Sequence, residues 1–309
     1  MKKLSIVIPV YFNEKNLLDT YAKLAEEVFP HLPDYELILV DDGSGDDSYS
    51  EMLKLRDMND RVKLIKFSRN FGHHIAVYAG LEHITGDCAV VISADLQDPP
   101  SLIVDLYNKY LEGYKIVLAV RKGRDEPFMQ RLFSGIYYKL MKKYAIKDMP
   151  LGGFDCFLAD RQVIETLTKI EEKNTSLFAQ ILWLGFKRAE VYYVRQARQV
   201  GESRYTLSKK VKLLLDSLLA FSYVPIRVIS LIGVIDCLLS FTYALYIIIH
   251  KVMYGYSVGW SSLMVAIMFS SGVQMLTLGV IGEYLWRNFD ESRKRPLYVL
   301  DQLQGIRKL

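Results

Sequence analysis

Two long apolar stretches near the C-terminus constrain this chain more than any other feature. Val228–Ile249 holds 22 residues with one charge, Asp236, and Ser261–Gly282 holds 22 residues with none. A bilayer core is spanned by ~20 apolar residues in a helix, so two transmembrane helices are expected, over residues 226–250 and 259–284, joined by a short external loop at 251–258. Basic residues cluster before the first span (Lys209, Lys210, Lys212, Arg227) and after the second (Arg287, Arg293, Lys294, Arg295), whereas the loop holds one lysine. The positive-inside rule then places both termini of a multi-pass membrane protein in the cytosol and the short loop outside. Residues 206–225 alternate leucines with lysines and read as an interfacial amphipathic helix on anionic headgroups, and residues 285–309 read as a cytosolic tail. Ser270, Ser271, Gly272, Gly279 and Gly282 are small enough for close helix packing, which predicts a homo-oligomer. Asp236 near mid-span needs an interhelical partner or a polar cavity.

The membrane reading leaves residues 1–205 for a cytosolic domain. Its start, MKKLSIVIPV, is too short in apolar residues for a secretory signal and reads as a first strand. Buried-strand patterns at Leu4–Val10, Tyr35–Val40, Val62–Phe67, Cys88–Ile92 and Tyr114–Val120 alternate with helical spacing at Glu14–Phe29, Asp46–Met58, from about Gly72 to Ile84, and Ser101–Glu112. This alternation predicts an α/β fold with a mostly parallel sheet; Lys187–Arg195 reads as a further strand. A net charge of only +4 disfavours a nucleic-acid partner. Cys88, Cys156 and Cys237 are odd in number and lie far apart, with no CxxC or Cys/His cluster, which disfavours a disulfide framework or a zinc site and fits a reducing compartment.

In open α/β sheets ligands bind outside the carboxyl ends of the strands. Polar clusters fall at those ends one after another: Tyr11–Glu14, Asp41/Asp42, Ser68–Asn70, Asp95/Gln97 and Arg121. The segment VVISADLQDPP at Val90–Pro100 ends a strand in a carboxylate and an amide two residues apart, oxygen donors suited to Mg²⁺ or Mn²⁺ shared with a substrate phosphate. Gly152-Gly153 lets backbone approach a ligand closely, with Asp155 directly after. Gln196–Tyr205 is polar and basic, suited to a loop over a phosphate-rich substrate. Neither GxGxxG nor GxxxxGK[ST] occurs, which disfavours a nicotinamide enzyme or a P-loop ATPase. His73 and His74 mark a helix start and are assigned no chemistry.

IVIPVYFNE (Ile6–Glu14), VDDGS (Val40–Ser44), SRNFGHHIAVYAGL (Ser68–Leu81), ADLQDPP (Ala94–Pro100), GGFDCFLADR (Gly152–Arg161), GESRYTLSKK (Gly201–Lys210) and GEYLWR (Gly282–Arg287) together resemble family 2 glycosyltransferases. The branch is that of the polyprenyl-phosphate enzymes, which includes bactoprenol glucosyltransferases and dolichyl-phosphate mannose synthases. The resemblance implies a GT-A (Rossmann-like) nucleotide-sugar-binding domain over residues 1–205, Mg²⁺ or Mn²⁺ as cofactor, and inverting transfer of a hexose, UDP-glucose favoured, to a polyprenyl phosphate such as undecaprenyl phosphate. Pro9, Tyr11, Asn13 and Glu14 would then line the base and ribose, Asp41 or Asp42 would hold them, and Ser93 and Ala94 would belong to the donor side. Asp95 and Gln97 would hold the metal. Asp155 would stand on the acceptor side with Asp95 as the second catalytic carboxylate. Arg121, Arg131, Ser203 and Arg204 would take phosphates, and the homo-oligomer would be a tetramer.

The chain departs from the family's DADLQ at Ser93, which removes one negative charge beside the metal. An acceptor phosphate is mostly dianionic at neutral pH, its second pKa being ~6, so Asp155 is expected to orient rather than to abstract a proton. The interfacial helix is expected to bring the cleft to the headgroup plane. Two rival readings are a silent membrane scaffold that keeps the fold, favoured by Ser93 alone, and a processive polysaccharide synthase, disfavoured because no QxxRW occurs.

Overall fold

The computed structural model describes residues 2–122, 135, 138–147, 149–150, 152–172, 175–196, 216–217, 219–255 and 259–306. The chain divides into two units, Met1–Ser217 with Pro296–Leu309, and Leu218–Arg295.

In the first unit, β1 (Leu4–Val10), β2 (Tyr35–Asp41), β3 (Val62–Phe67), β4 (Cys88–Val91), β5 (Ile116–Arg121), β6 (Cys156–Asp160), β7 (Arg188–Tyr193) and β8 (Leu300–Gln304) form one sheet in the order β7-β5-β6-β4-β1-β2-β3-β8. The pairings β1–β2, β1–β4, β2–β3 and β5–β7 are parallel. β6 is antiparallel to both β4 and β5, so β5 points the same way as β4. The carboxyl ends of β1 to β5 and β7 therefore share one edge with the start of β6.

The helices α1 (Leu17–Glu27), α2 (Ser48–Met58), α3 (His73–Glu82), α4 (Leu102–Leu111), α5 (Arg161–Leu167) and α6 (Leu177–Trp183) cover the sheet. Alternate residues of β1 (Leu4, Ile6, Ile8, Val10) join Leu37, Leu39, Leu64 and Val90 in a core closed by Leu17 and Leu24 of α1, Met52 and Leu55 of α2, and Ile103 and Leu106 of α4. α3 packs against β1 and β2 and buries Ala76 and Val77. Burial on both faces explains why β1, β2 and β4 read as unbroken apolar runs. The first helix starts at Leu17 rather than Glu14 because Asn16 and Leu17 donate back to the Asn13 carbonyl and form a turn. The sheet also has two antiparallel members beyond the predicted strands. β6 follows directly on the Gly-Gly-Phe-Asp motif, and β8 lies in the segment expected to be a tail.

In the second unit, α7 (Val224–Tyr254) and α8 (Trp260–Ser292) are long, apolar and unburied, with the length and composition to cross a membrane. Pro225 opens α7, and Gly255 closes it in the left-handed conformation (φ 74°). The two helices meet where Ser270 Oγ donates to Asp236 Oδ1 at 3.4 Å, so the mid-span carboxylate has an interhelical partner. Arg227 lies over the Tyr223 ring (4.6 Å) and Arg293 over Phe289 (4.4 Å), which puts aromatic and cationic groups at one end of each helix. The predicted interfacial helix falls largely on residues outside the described ones.

Candidate active site

The polar edge is built outward from the strand ends. β1 runs out at Val10, and Pro9 is buried inside it. Phe12 adopts φ 55° and donates its N–H to Ser44 Oγ (3.1 Å). The Asn13 N–H reaches Ser48 Oγ (2.8 Å), and Asn13 Oδ1 accepts from the Tyr11 N–H (3.0 Å). Glu14 accepts from the Asp47 N–H (3.1 Å) and ties this loop to the start of α2. Asn13 and Glu14 thus shape the loop, while the Tyr11 and Phe12 rings, edge to face at 4.7 Å, keep 37% exposure each.

Asp41 and Asp42 end β2, are both buried, and do different things. Asp42 accepts from the backbone N–H groups of Phe71 (2.6 Å) and Gly72 (2.9 Å) and from Asn70 Nδ2 (3.0 Å). Burial, then the Asp41 charge, push its carboxyl up to about 6 despite those donors. Asp41 spends one oxygen on the Ser44 N–H (3.0 Å), and its other oxygen is buried without a hydrogen-bond partner among the described residues. Burial raises this carboxyl as well, against the Ser44 donors and the Lys66 charge. Gly43 between them and Ser44 has φ 67°, and a Cβ there would lie 2.4 Å from the Arg69 carbonyl carbon. The turn therefore requires glycine.

Beyond β4, the segment Ile92–Pro100 folds back on itself through Leu96, buried at φ 55°. Ser93 Oγ lies 2.8 Å from Asp95 Oδ1 and 3.2 Å from Asp98 Oδ2, and its proton serves one of them at a time. Asp95 Oδ1 also accepts from the Gln97 N–H (3.2 Å). Ala94 is buried, with its carbonyl fixed by Thr20 Oγ1 (3.1 Å). Asp98 is 1% exposed and accepts from the Tyr193 hydroxyl. The segment leaving β7 is latched on as well: the Gln196 N–H donates to the Gln97 carbonyl at 2.9 Å, and Arg195 Nε stands 3.9 Å from Asp98 Oδ1.

Asp155 precedes β6 and so reaches the same edge from a strand running the other way. Gly153 before it has φ 66°, and a Cβ there would overlap the Tyr138 hydroxyl. Asp155 Oδ2 accepts from Arg121 Nη2, and Arg195 Nη1 lies 3.7 Å from the same oxygen. The Arg121 side chain is 7% exposed against 39% for Asp155, so a nearly buried guanidinium is balanced by a carboxylate facing outward. Nearby, His74 packs edge-on to Phe178 at 5.2 Å. Burial, then His73, lower its pKa to about 3, which keeps it neutral.

Of the residues expected at the site, Asp95, Gln97, Ser93, Asp155 and Arg121 are brought into one linked set, and Tyr11, Asn13, Glu14, Asp41 and Asp42 line the neighbouring β1 and β2 ends. Arg131, Ser203 and Arg204 lie outside the described residues. Asp98, Tyr193 and Arg195 join the set without having been expected. The available signal was the second aspartate of ADLQDPP, a further carboxylate three residues after Asp95 in the same strand-to-helix connection. Among the described residues no three His, Cys, Asp or Glu side chains converge into a metal cage. The Asp95 carboxylate and the Gln97 amide oxygen suit a hard cation that takes its remaining ligands from water and substrate phosphates.

Comparison with known proteins gives a consistent picture. The family model described as glycosyl transferase family 2 matches residues 5–168. The uncharacterized glycosyltransferase YkcC of Bacillus subtilis (strain 168) is 40% identical over 304 residues, 98% of this chain and 94% of that protein. The bactoprenol glucosyl transferase of Shigella phage SfV is 35% identical over 302 residues, 96% of this chain and 98% of that one. Among solved structures, glucosyl-3-phosphoglycerate synthase from Mycobacterium tuberculosis, in complex with Mn²⁺, uridine-diphosphate and phosphoglyceric acid, is similar over 70% of this chain and 78% of that one, at 18% identity and a TM-score of 0.49.

Proposed function

This chain belongs to glycosyl transferase family 2 and is a glycosyltransferase with a GT-A fold, and we propose that it transfers glucose from UDP-glucose to the phosphate of a polyprenyl phosphate, with inversion at the anomeric carbon. The observation that carries this reading is the linkage at one sheet edge of an oxygen-donor loop, Ser93–Asp98, to an arginine-flanked carboxylate, Asp155. Full-length likeness to bactoprenol glucosyl transferases supports glucose and a lipid phosphate, and the two spans of the second unit suit an enzyme whose acceptor lives in a membrane.

On this reading the nucleoside lies against Tyr11 and the unspent oxygen of Asp41, which takes an N–H of the base or a ribose hydroxyl. Asp42 keeps the Asn70–Gly72 loop in place behind it. Asp95 and Gln97 would hold Mg²⁺ or Mn²⁺, which when bound would offset charge on the departing diphosphate. Ser93 contributes no charge, so Asp95 would be the carboxylate that meets the ion. A phosphate monoester needs little help to become a nucleophile. Asp155, held by Arg121 and flanked by Arg195, orients the acceptor or stabilises positive charge on the sugar ring.

A donor screen against undecaprenyl phosphate, read as the altered thin-layer mobility of the lipid, tests the proposal. UDP-glucose should give a glucosylated lipid only when Mg²⁺ or Mn²⁺ is present. Asp95→Ala should abolish product, and near-wild-type turnover in that variant would remove the metal role from Asp95. A product from another nucleotide sugar alone would replace the donor.

A further inference from the structure

The segment that follows the second apolar helix returns to the sheet beside the strand end to which the nucleoside is assigned. Its strand β8 pairs antiparallel with β3, and β3 pairs in parallel with β2. Lys66 of β3 stands level with Asp41 of β2 on one side and with Gln302 of β8 on the other. Side chains level with one another on neighbouring strands project from the same face, and opposite charges so placed attract. Yet no ion pair joins Lys66 to Asp41 among the described residues. Lys66 Nζ instead lies 3.2 Å from Asp301 Oδ2 and 4.8 Å above the Tyr49 ring, whose hydroxyl donates to Gln302 Oε1 at 2.9 Å. β8 is itself held in place, because the Ser68 N–H donates to the Val299 carbonyl at 3.0 Å and Tyr298 stacks on Phe67 at 4.9 Å. Asp41 is left with one oxygen buried and without a hydrogen-bond partner among the described residues. Burial raises its carboxyl, and the Lys66 charge is among the influences that lower it, so the lysine is within electrostatic reach. Burial, then the charges of Asp301 and Asp41, raise the Tyr49 hydroxyl, so both carboxylates border the same small cluster.

A lysine ammonium is a compact point charge on a flexible stem. Held at Asp301, it leaves Asp41 unpaired. Released, it has the aspartate level with it on β2 as its natural partner. We propose that Asp301 is a positioning residue for the donor site: it draws Lys66 away from Asp41 and so keeps the Asp41 oxygen open to the nucleotide. Without Asp301, Lys66 turns to Asp41 and occupies that oxygen. The strand that follows the membrane-length helices is thereby part of the donor site, although it touches no nucleotide. The proposal rests on the reading that Asp41 accepts from the nucleotide.

The test is calorimetry on the full chain in detergent with UDP as the probe, alongside KM for UDP-glucose and kcat. Asp301→Asn should weaken UDP binding roughly 5- to 10-fold, because Lys66 displaces one charge-assisted hydrogen bond to Asp41. KM for the donor should rise by a similar factor, while kcat at saturating donor stays within about 2-fold of wild type. Asp301→Glu keeps the charge and should bind UDP like wild type. Lys66→Met alone should stay within about 2-fold of wild type, and adding it to Asp301→Asn should restore binding. That rescue separates the proposal from a structural role. A strand merely loosened by the loss of Asp301 would be loosened further by losing the Lys66 contact with Tyr49. Unchanged UDP affinity in Asp301→Asn, or a loss that Lys66→Met does not repair, would overturn the proposal. Asp41→Asn tells the proposal from the reading beneath it. If that variant binds UDP like wild type, the reading of Asp41 falls and the proposal with it. If it binds weakly while Asp301→Asn binds normally, the proposal alone falls.

Discussion

Adjacent aspartates at the end of β2 divide their labour. Asp42→Ala would strand the half-buried N–H groups of Phe71 and Gly72, where a fully buried unpaired donor costs about 1–3 kcal/mol, so its thermal midpoint should drop. Asp41→Asn should leave the midpoint nearly unchanged and weaken nucleotide binding in calorimetry. At the opposite edge of the sheet, Glu36 is 1% exposed and accepts from Ser5 Oγ (2.6 Å), the Thr85 N–H (2.6 Å) and Lys63. Burial alone would raise this carboxyl, but those donors override it and hold it at about 2. A carboxyl lowered in the folded state stabilises fully above its unfolded value and loses that contribution as pH falls toward the folded one. Glu36→Gln should therefore lower the unfolding midpoint near neutral pH, and the gap to wild type should close between about 4.5 and about 2. A gap that does not change with pH would show that the charge is not what matters. Neither assignment was legible in the sequence. The VDDGS motif announced a pair of carboxylates, but which one faces a ligand depends on the Asn70–Gly72 loop, and the partners of Glu36 are scattered from Ser5 to Thr85. Arg195 was hidden for the same reason: it closed a predicted strand, and only the pairing of β7 with β5 carries it to Asp155.

Among the elements, the early strands and helices were readable because each is buried on two faces or along one stripe, and periodicity records burial directly. β8 was not. Its sequence, LDQLQ, is short, polar and half exposed, and it is held by a partner more than 200 positions away. Tyr298 stacks on Phe67 at 4.9 Å and donates to Glu82, Tyr49 donates to Gln302 at 2.9 Å, and Lys66 pairs with Asp301 at 3.2 Å. The strand caps the β3 edge, which would otherwise present unpaired backbone groups. Removing residues 296–309 should lower the thermal midpoint and increase light scattering on storage. A truncated chain as stable and monodisperse as the full one would show that the edge needs no cover. β6 was half legible: the Gly-Gly-Phe-Asp stretch before it marked a site, while its antiparallel direction depended on contacts with β4 and β5 that no local pattern specifies.

At the scale of the whole molecule, the two apolar helices were the plainest message in the sequence, because a bilayer demands a length that few other environments require. Their orientation is a separate matter, and we propose the arrangement with both termini cytosolic. In a chain whose native cysteines are replaced, a cysteine introduced at Gly259 should react with an impermeant maleimide from outside intact cells, whereas one introduced at Lys294 should react only after lysis. The reverse pattern would invert the topology. Because β6 runs against its neighbours, its start brings Asp155 to the edge where β1, β2 and β4 end. The groups assigned to the sugar nucleotide therefore come from the first hundred residues and meet a carboxylate that the chain delivers some sixty residues later. The Tyr193–Asp98 hydrogen bond ties the two stretches together, so a change on either side of the cleft is constrained at that clasp.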